Sequence, residues 1–278
     1  MSAPSSLRPL PPLREVIEQY GLGAKKSLGQ HFLLDLNMTR KIARAASVGA
    51  GDNVLEIGPG PGGLTRALLE AGAHVIAIER DHRCIEALGD VALAADNRLE
   101  VIEADALRAD ECAPVKIVAN LPYNISTELL IKWLKAGPAL WSVMALMFQK
   151  EVADRILAAP GSKAYGRLSV MAQAASAPSR AFNLPARAFT PPPKVDSTVV
   201  LFEHAPSPFA YLPELERLTQ SAFSQRRKML RSSLKPVFGD GLAAALESAG
   251  VKEIQRAEEV SVAQFKMLAE ELARKSGA

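Results

Sequence analysis

The chain has 278 residues, 48% of them hydrophobic and 23% charged, a composition that predicts a globular protein with one large domain and a smaller one. No apolar run approaches roughly 18 residues, and prolines interrupt the N-terminal stretch MSAPSSLRPLPPL, so we expect no membrane span, no signal peptide and a cytoplasmic location. Residues 1–50 carry seven Lys and Arg against three Asp and Glu, residues 51–205 carry 15 against 18, and residues 206–278 carry 11 against nine. Such basic ends are either a chance scatter of solvated charges or surfaces that bind a polyanion.

Four short segments rich in β-branched residues predict the first strands of a sheet. They are NVLEIG at 53–58, HVIAIE at 74–79, RLEVIE at 98–103 and VKIVAN at 115–120. The helical patterns GLTRALLEAG and DHRCIEALGDVALAA lie between the first three strands. This alternation predicts a mostly parallel sheet with helices on both faces, an α/β fold of the Rossmann-like type.

The rest of the chain predicts the end of the sheet and then helices alone. STELLIKWLKAG, KEVADRILA and YGRLSVMAQAA read as helices, and WSVMALMFQ, AFNLPARAF and STVVLF read as strands. After the proline-rich segment at 204–213 every pattern is helical. We therefore expect a flexible N-terminal extension over residues 1–20, a Rossmann-like catalytic domain over residues 21–205 and a smaller all-helical C-terminal domain over residues 206–278.

The glycine-rich segment EIGPGPGGLT at 56–65 closes the first strand and opens the first helix. Its G-x-G-x-x-G spacing matches the dinucleotide fingerprint, and Glu79 at the end of the second strand can accept from the ribose of NAD or of S-adenosylmethionine. Pro59 and Pro61 each remove a backbone donor that a pyrophosphate would need. The loop thus favours S-adenosylmethionine, which carries a sulfonium and no phosphate. A nicotinamide dehydrogenase and a turn without a ligand remain the alternatives.

Asp105 follows the third strand, at the carboxyl edge where open α/β sheets bind ligands. There its side chain can accept from the adenine amino group of the cofactor. Aspartate is also a favoured helix N-cap, and the position alone does not separate the two roles.

The histidines at 31, 74, 82 and 204 and the cysteines at 84 and 112 lack the spacing of zinc ligands. We therefore expect no metal site.

The segment NLPYNIS at 120–126 follows the fourth strand without any adjacent nucleophile or general base. The exocyclic N6 of adenine is a poor nucleophile because its lone pair is delocalised into the ring. Two acceptors on its N–H groups, the Asn120 side chain and the backbone carbonyl of Leu121 or Pro122, would free that lone pair. Tyr123 would stack on the extruded base. The alternative is a strand-end turn with a packed tyrosine.

The chain closely resembles the KsgA family of bacterial 16S rRNA adenine dimethyltransferases, from about residue 25 to the C-terminus. The motifs that carry the resemblance are KKSLGQHFLLD (25–35), EIGPGPGGLT, IERD (78–81), EADAL, NLPYNIST (120–127), FQKEVADRI (148–156), YGRLSV (165–170), FTPPPKVDSTVV (189–200) and FSQRRKMLRSSL (223–234). The resemblance implies S-adenosylmethionine as methyl donor and no metal. The implied cofactor contacts are His31, Leu33, Gly58, Glu79, Asp105 and Asn120. It also implies that residues 120–123 hold the target adenine and that Phe189 is a second stacking face.

The resemblance further implies the substrate. The family converts two adjacent adenosines near the 3′ end of 16S rRNA to N6,N6-dimethyladenosine in the assembling 30S subunit, and we expect this protein to do so as a monomer. A DNA or large-subunit rRNA adenine methyltransferase shares the chemistry, and a ribosome-assembly factor that acts by binding alone is the alternative from another class.

The basic segment RRKMLRSSLK at 226–235 predicts a helix that binds RNA. In a helix, Arg227, Arg231 and Lys235 recur at i, i+4 and i+8 and share one stripe. The segment contains no acidic residue, which favours phosphate contacts over a merely solvated face.

Overall fold

The computed structural model describes residues 7–23, 30–109, 115–206, 209–225 and 227–276, without the side chain of residue 276. The chain divides into two compact units. The first, here the catalytic unit, is Met1–Lys150 with Ser179–Glu203, and the second, the helical unit, is Glu151–Pro178 with His204–Ala278. The division differs from the one expected from the sequence, because residues 151–178 cluster with the C-terminal helices and not with the α/β domain.

Nine strands occur in the described parts of the chain. They are β1 (Phe32–Leu33), β2 (Asn53–Ile57), β3 (His74–Glu79), β4 (Leu99–Glu103), β5 (Val115–Asn120), β6 (Trp141–Gln149), β7 (Ser176–Leu184), β8 (Phe189–Thr190) and β9 (Ser197–His204). Seven form one sheet in the order β4-β3-β2-β5-β6-β9-β7, and β1 and β8 form a separate antiparallel pair. Strands β4, β3, β2, β5 and β6 are parallel, and β9 is antiparallel to β6. The mostly parallel sheet predicted from the sequence is present.

The helices of the catalytic unit connect these strands. They are α1 (Leu13–Gln19), α2 (Leu36–Ala45), α3 (Gly63–Glu70), α4 (His82–Ala94) and α5 (Ser126–Ala136). Helices that cover both faces of a parallel sheet bury its central strands, which is why β5 and β6 read as almost unbroken apolar runs. Residues 144–148 of β6 are fully buried.

The N-terminal region differs from the flexible extension that we expected over residues 1–20. Residues 13–19 form α1, in which Leu13 and Val16 are 5% and 2% exposed. The reason is that these apolar residues, three positions apart, lie on one face of the helix and bury together. Residues 1–6 lie outside the described residues, as do residues 24–29, which include the start of the KKSLGQHFLLD motif.

The helical unit contains α6 (Lys150–Ile156), which begins at the last residue of the catalytic unit, followed by α7 (Arg167–Ala175), α8 (Leu212–Ala222), α9 (Leu230–Ser233), α10 (Lys235–Phe238), α11 (Leu242–Ser248) and α12 (Val262–Ser276). Its interior includes the fully buried Phe265 and Tyr165, whose hydroxyl donates to the Val260 carbonyl over 2.9 Å. In neither unit do the described residues include a helix long and apolar enough to cross a membrane.

The continuous helix predicted over RRKMLRSSLK is wrong. Met229 instead forms an antiparallel bridge with Arg256, and the Leu230 N–H donates to the Gln255 carbonyl over 2.8 Å. The N–H groups that would close a helical turn are therefore used in pairing with a distant segment. A new helix begins at 235 with Pro236 in its first turn, where the missing N–H costs nothing. Arg226 lies outside the described residues.

Candidate active site

A cavity in the catalytic unit opens at the carboxyl ends of β2, β3 and β5, the edge at which open parallel sheets bind ligands. The structure brings nine sequence-predicted site residues to its wall: His31, Leu33, Gly58, Glu79, Asp105, Asn120, Leu121, Pro122 and Tyr123. They come from β1 and the residue before it, and from the ends of four other strands or the loops after them. Only the folded sheet assembles them.

The glycine-rich loop between β2 and α3 lies against its neighbours too closely for larger residues. Gly58 and Gly60 have φ of 65° and 55°, a left-handed conformation that favours glycine. A Cβ atom at Gly60 would lie 3.0 Å from two carbons of the Phe32 ring, and one at Gly58 would lie 3.5 Å from Pro122. At Gly60 a side chain would therefore press on the Phe32 ring, which itself lines the cavity.

Glu79, at the end of β3, is 7% exposed and is held by three backbone donors. Its Oε1 accepts from the N–H groups of Arg80 and Asp81 over 2.7 and 2.8 Å, and its Oε2 accepts from Gly60 over 3.1 Å. A carboxylate has about four acceptor positions. One position remains for a ligand hydroxyl, and the three donors hold it in place.

Glu56, in β2 just before the glycine-rich loop, lines the cavity, and it was not among the cofactor contacts that the resemblance implied. It is 1% exposed, and its Oε2 has no hydrogen-bond partner among the described residues. Burial, with a smaller contribution from the charge of Glu79, raises the pKa of this carboxyl to about 8. A cation bound beside this carboxyl would lower its pKa and favour the ionised form, whereas a pyrophosphate would meet few backbone donors and an acidic group. An acidic residue inside an otherwise apolar buried strand was the sequence signal.

Asp105 caps a turn in this structure, which is close to the capping role that the sequence left open, and its role in binding the cofactor stays a prediction. Its Oδ1 accepts from the Leu107 N–H over 3.1 Å and so caps the turn at 106–108. Its Oδ2 lies 3.7 Å from the Arg80 guanidinium at the wall of the cavity. The cap orients the carboxylate at the wall of the cavity.

The amide of Asn120 has a defined orientation. Its Nδ2 donates to the His31 carbonyl over 3.1 Å. Because a carbonyl can only accept, the amide nitrogen must face His31 and Oδ1 is left as an acceptor. The His31 ring is itself held, with Nδ1 2.8 Å from the Pro191 carbonyl oxygen.

Tyr123 presents its ring beside this amide. Its hydroxyl lies 2.8 Å from Ser197 Oγ, and its ring centroid lies 5.6 Å from that of His31. Burial raises the pKa of the Tyr123 phenol, while the hydrogen bond with Ser197 opposes the rise. The phenol is therefore neutral near pH 7.

Phe189 does not reach the cavity in this structure. It lies in β8 opposite Leu33 of β1, is 2% exposed and belongs to the hydrophobic core of the catalytic unit. Its neighbour in the pairing, Leu33, lines the cavity instead. Phe189, expected to stack on the target adenine, thus packs in the core and pairs with β1.

The predicted basic residues of the helical unit do not share one stripe, because the helix is broken. Arg227, Arg231 and Lys235 are all exposed, and Lys235 Nζ lies 3.1 Å from Asp240 Oδ1. The bridge between Met229 and Arg256 adds a further arginine that the sequence analysis missed. Arg227, Arg231 and Arg256 are exposed and belong to two segments that pair at Met229 and Arg256, and these three residues are here called the basic surface.

Known proteins resemble this chain over nearly its whole length. A model of the family described as ribosomal RNA adenine dimethylase matches residues 21–274. A ribosomal RNA small subunit methyltransferase A from Phenylobacterium zucineum is 57% identical over 273 residues, which are 95% of this chain and 94% of that protein. Its namesake from Cereibacter sphaeroides is 56% identical over 272 residues, 95% of this chain and 98% of that protein.

Solved structures give the same result. A dimethyladenosine transferase from Plasmodium falciparum superposes with a TM-score of 0.78 at 31% identity, over 89% of this chain and 98% of that one. The 23S rRNA methyltransferase ErmE superposes with a TM-score of 0.67 at 28% identity, over 87% of this chain and 99% of that one. These matches confirm the resemblance and the Rossmann-like fold predicted from the motifs, and the chain belongs to the ribosomal RNA adenine dimethylase family.

Proposed function

We propose that this protein uses S-adenosylmethionine to dimethylate N6 of two adjacent adenosines in the 3′-terminal hairpin of 16S rRNA, within the assembling 30S subunit. The observation that carries the proposal is the Asn120 amide, whose oxygen is held as a free acceptor at the carboxyl edge of the sheet. The small-subunit methyltransferases at 57% and 56% identity support the choice of rRNA. We further propose that the enzyme works as a monomer and without a metal.

The cavity residues fit the methyl donor. Bound S-adenosylmethionine supplies an activated methyl group on a sulfonium, so no residue has to generate an electrophile. Glu79 would accept from the ribose, Asp105 from the adenine amino group, and the backbone around Gly58, His31 and Leu33 would enclose the remainder. The orphaned Glu56 carboxyl would face the positively charged portion.

The residues of the NLPY segment would activate the target amine. Asn120 Oδ1 and the backbone carbonyl of Leu121 or Pro122 can accept from the two N–H groups of N6, which localises the lone pair for attack. The amine proton is then lost to solvent after transfer. Because these acceptors are held before the substrate binds, they cost little reorganisation, and a catalytic histidine is unnecessary.

Tyr123 would hold the extruded adenine by stacking, which is worth roughly 1–3 kcal/mol per base. Its hydrogen bond with Ser197 fixes the ring plane from the far end of the side chain. Stacking positions the base, while the neighbouring acceptors act on its amino group. The two functions belong to adjacent residues of one rigid turn.

The exposed arginines of the basic surface would contact rRNA phosphates. Such contacts are independent of base sequence, so they would add affinity for RNA in general. The choice of the two adenosines would then depend on the shape of the folded rRNA.

One experiment tests the function and separates the alternatives. The enzyme is incubated with labelled methyl donor and with undermethylated 30S subunits, free 16S rRNA, 23S rRNA or DNA, and the nucleosides are then analysed. We expect N6,N6-dimethyladenosine at two adjacent positions with 30S subunits and far less with the other substrates. Preferred methylation of 23S rRNA or DNA would assign the enzyme to another substrate. Binding of 30S subunits without methyl transfer would identify a binding factor.

A further inference from the structure

The N-terminal segment before β1 is fastened to the helices that follow the cofactor loop. Tyr20, just after α1, donates its hydroxyl to Asp90 of α4 over 3.0 Å. The buried Arg66 of α3 donates to the Pro11 carbonyl over 2.6 Å. The segment is thus attached at both ends of α1.

A second set of bonds holds the chain after α1 beside the end of β3. Arg83 donates to the Gly21 carbonyl over 2.7 Å and pairs with the buried Asp81 over 2.7 Å. Asp81 also accepts from the Gln30 side chain over 3.1 Å. Gly21 and Gln30 lie on either side of residues 24–29, so one ion pair holds the chain both before and after that segment.

A small hydrophobic cluster connects α1 with the cavity. Val16, Leu22, Cys84 and Ala87 are 0–2% exposed and pack together with Phe32, which is 6% exposed. Phe32 also lines the cavity. Phe32 therefore belongs both to the cluster that contains Val16 of α1 and to the wall of the cavity.

The same ring contacts the glycine loop. Gly60 approaches it so closely that an added Cβ would lie 3.0 Å from the ring, and the Gly60 N–H donates to Glu79 over 3.1 Å. A shift of Phe32 would therefore reach the carboxylate to which ribose binding was assigned. Close-packed side chains transmit such shifts because the interior has no free volume to absorb them.

We propose that α1 is a positioning element of the cofactor site: Val16 and Leu22 hold the Phe32 ring against Gly60 and thereby set the affinity for S-adenosylmethionine without touching it. The inference rests on the proposed function. It assigns a role in cofactor binding to a region that the sequence placed in a flexible extension.

The test compares two identical substitutions. Val16 and Val75 are both 2% exposed, but Val75 lies in β3 within the main core and does not line the cavity. We expect Val16→Ala to raise the Kd for S-adenosylmethionine, measured by calorimetry, roughly three- to tenfold, with kcat at saturating donor within about twofold of wild type. Val75→Ala should lower thermal stability at least as much and leave Kd unchanged. Val16→Ile, which keeps a branched apolar side chain in the cluster, should retain the wild-type affinity.

Other outcomes separate the inference from the proposed function. A folded Val16→Ala variant with wild-type Kd, or equal weakening by Val75→Ala, would overturn the positioning role alone. Wild-type protein that binds no S-adenosylmethionine would overturn both proposals. Leu22→Val is a milder truncation in the same cluster, and it provides the same comparison where Val16→Ala does not fold.

Discussion

The cavity of the catalytic unit and the basic surface of the helical unit hold their functional side chains in opposite ways. In the cavity, Glu79 accepts from three backbone N–H groups and Asn120 is oriented by the His31 carbonyl. On the basic surface, Arg227 and Arg231 are exposed. A preorganised group acts on one atom of its ligand, whereas an exposed cation contributes through general attraction that salt screens.

This difference predicts two kinds of mutational effect. Substitutions in the cavity should have large effects on one step, either cofactor binding or methyl transfer. Each cavity group is held in one geometry, and no neighbouring group can replace it. Substitutions on the basic surface should have small effects on RNA affinity that resemble one another and depend on salt. Four experiments test this difference, and they are described from the largest expected effect to the smallest.

The Asn120→Ala substitution should produce the largest effect. It removes an acceptor that acts on the attacking amine in the transition state, so methyl transfer should fall by roughly 10² or more, while affinity for S-adenosylmethionine stays within about tenfold. Single-turnover methylation and calorimetry measure the two quantities. Asn37→Ala, on the exposed side of α2, is the matched control and should leave both unchanged. Normal transfer by Asn120→Ala would remove the main support for the mechanism.

The buried Glu56 should make stability depend on pH. Burial raises its pKa from 4.5 to about 8, so the folded state binds the proton more tightly than the unfolded state. This stabilisation is complete below the unfolded pKa and is lost as the pH rises through the folded pKa.

Urea unfolding of wild type and Glu56→Gln tests this dependence. From about pH 5.5 to about pH 8.5 the wild type should lose about 2–4 kcal/mol relative to the variant, which has no carboxyl to titrate there. A constant difference across this range would show that the carboxyl is charged throughout, and Glu56 would then resemble an ordinary surface acid.

Gly60→Ala should weaken cofactor binding roughly tenfold or more, because the alanine is strained at φ of 55° and its Cβ meets the Phe32 ring. Gly51→Ala provides the control, since Gly51 has φ of 83° and open space around its Cβ position. The control should lose about 1 kcal/mol of stability and keep the wild-type affinity. Equal loss of affinity in both variants would mean that backbone strain, and not the approach to Phe32, decides the effect.

The smallest effects should come from the basic surface. Replacing Arg227 and Arg231 by Gln should flatten the log–log salt dependence of 30S binding by about 0.7–0.9 for each phosphate that is no longer neutralised, without changing cofactor affinity. Lys235→Gln should change the slope less, since its ammonium already pairs with Asp240. Arg274→Gln, in an ion pair with Glu271 on α12, is the control and should leave the slope unaltered. A double variant with the wild-type slope would show that this surface does not meet the RNA.

Local sequence patterns were enough to predict the sheet and nine residues of the cavity wall. β3, β5 and β6 have the bounds that their apolar runs predicted, because β-branched residues and the flanking turn signals act locally. The positions of the site residues could be predicted for the same reason, because they are fixed by the ends of the strands. Most lie at the end of a strand or in the loop after it, and parallel strands bring their carboxyl ends to one edge whatever the details of packing.

The features that depend on residues distant in the chain could not be predicted from the sequence. Nothing near Met229 in the sequence reveals that it pairs with Arg256 and breaks the predicted helix, or that residues 151–178 join the helical unit. The burial of α1 against the Phe32 cluster and the missing partner of Glu56 Oε2 likewise arise only when remote segments meet. The physical reason is that local propensities are worth tenths of a kcal/mol per residue, whereas burial and satisfied hydrogen bonds are worth about 1 kcal/mol or more each and override them.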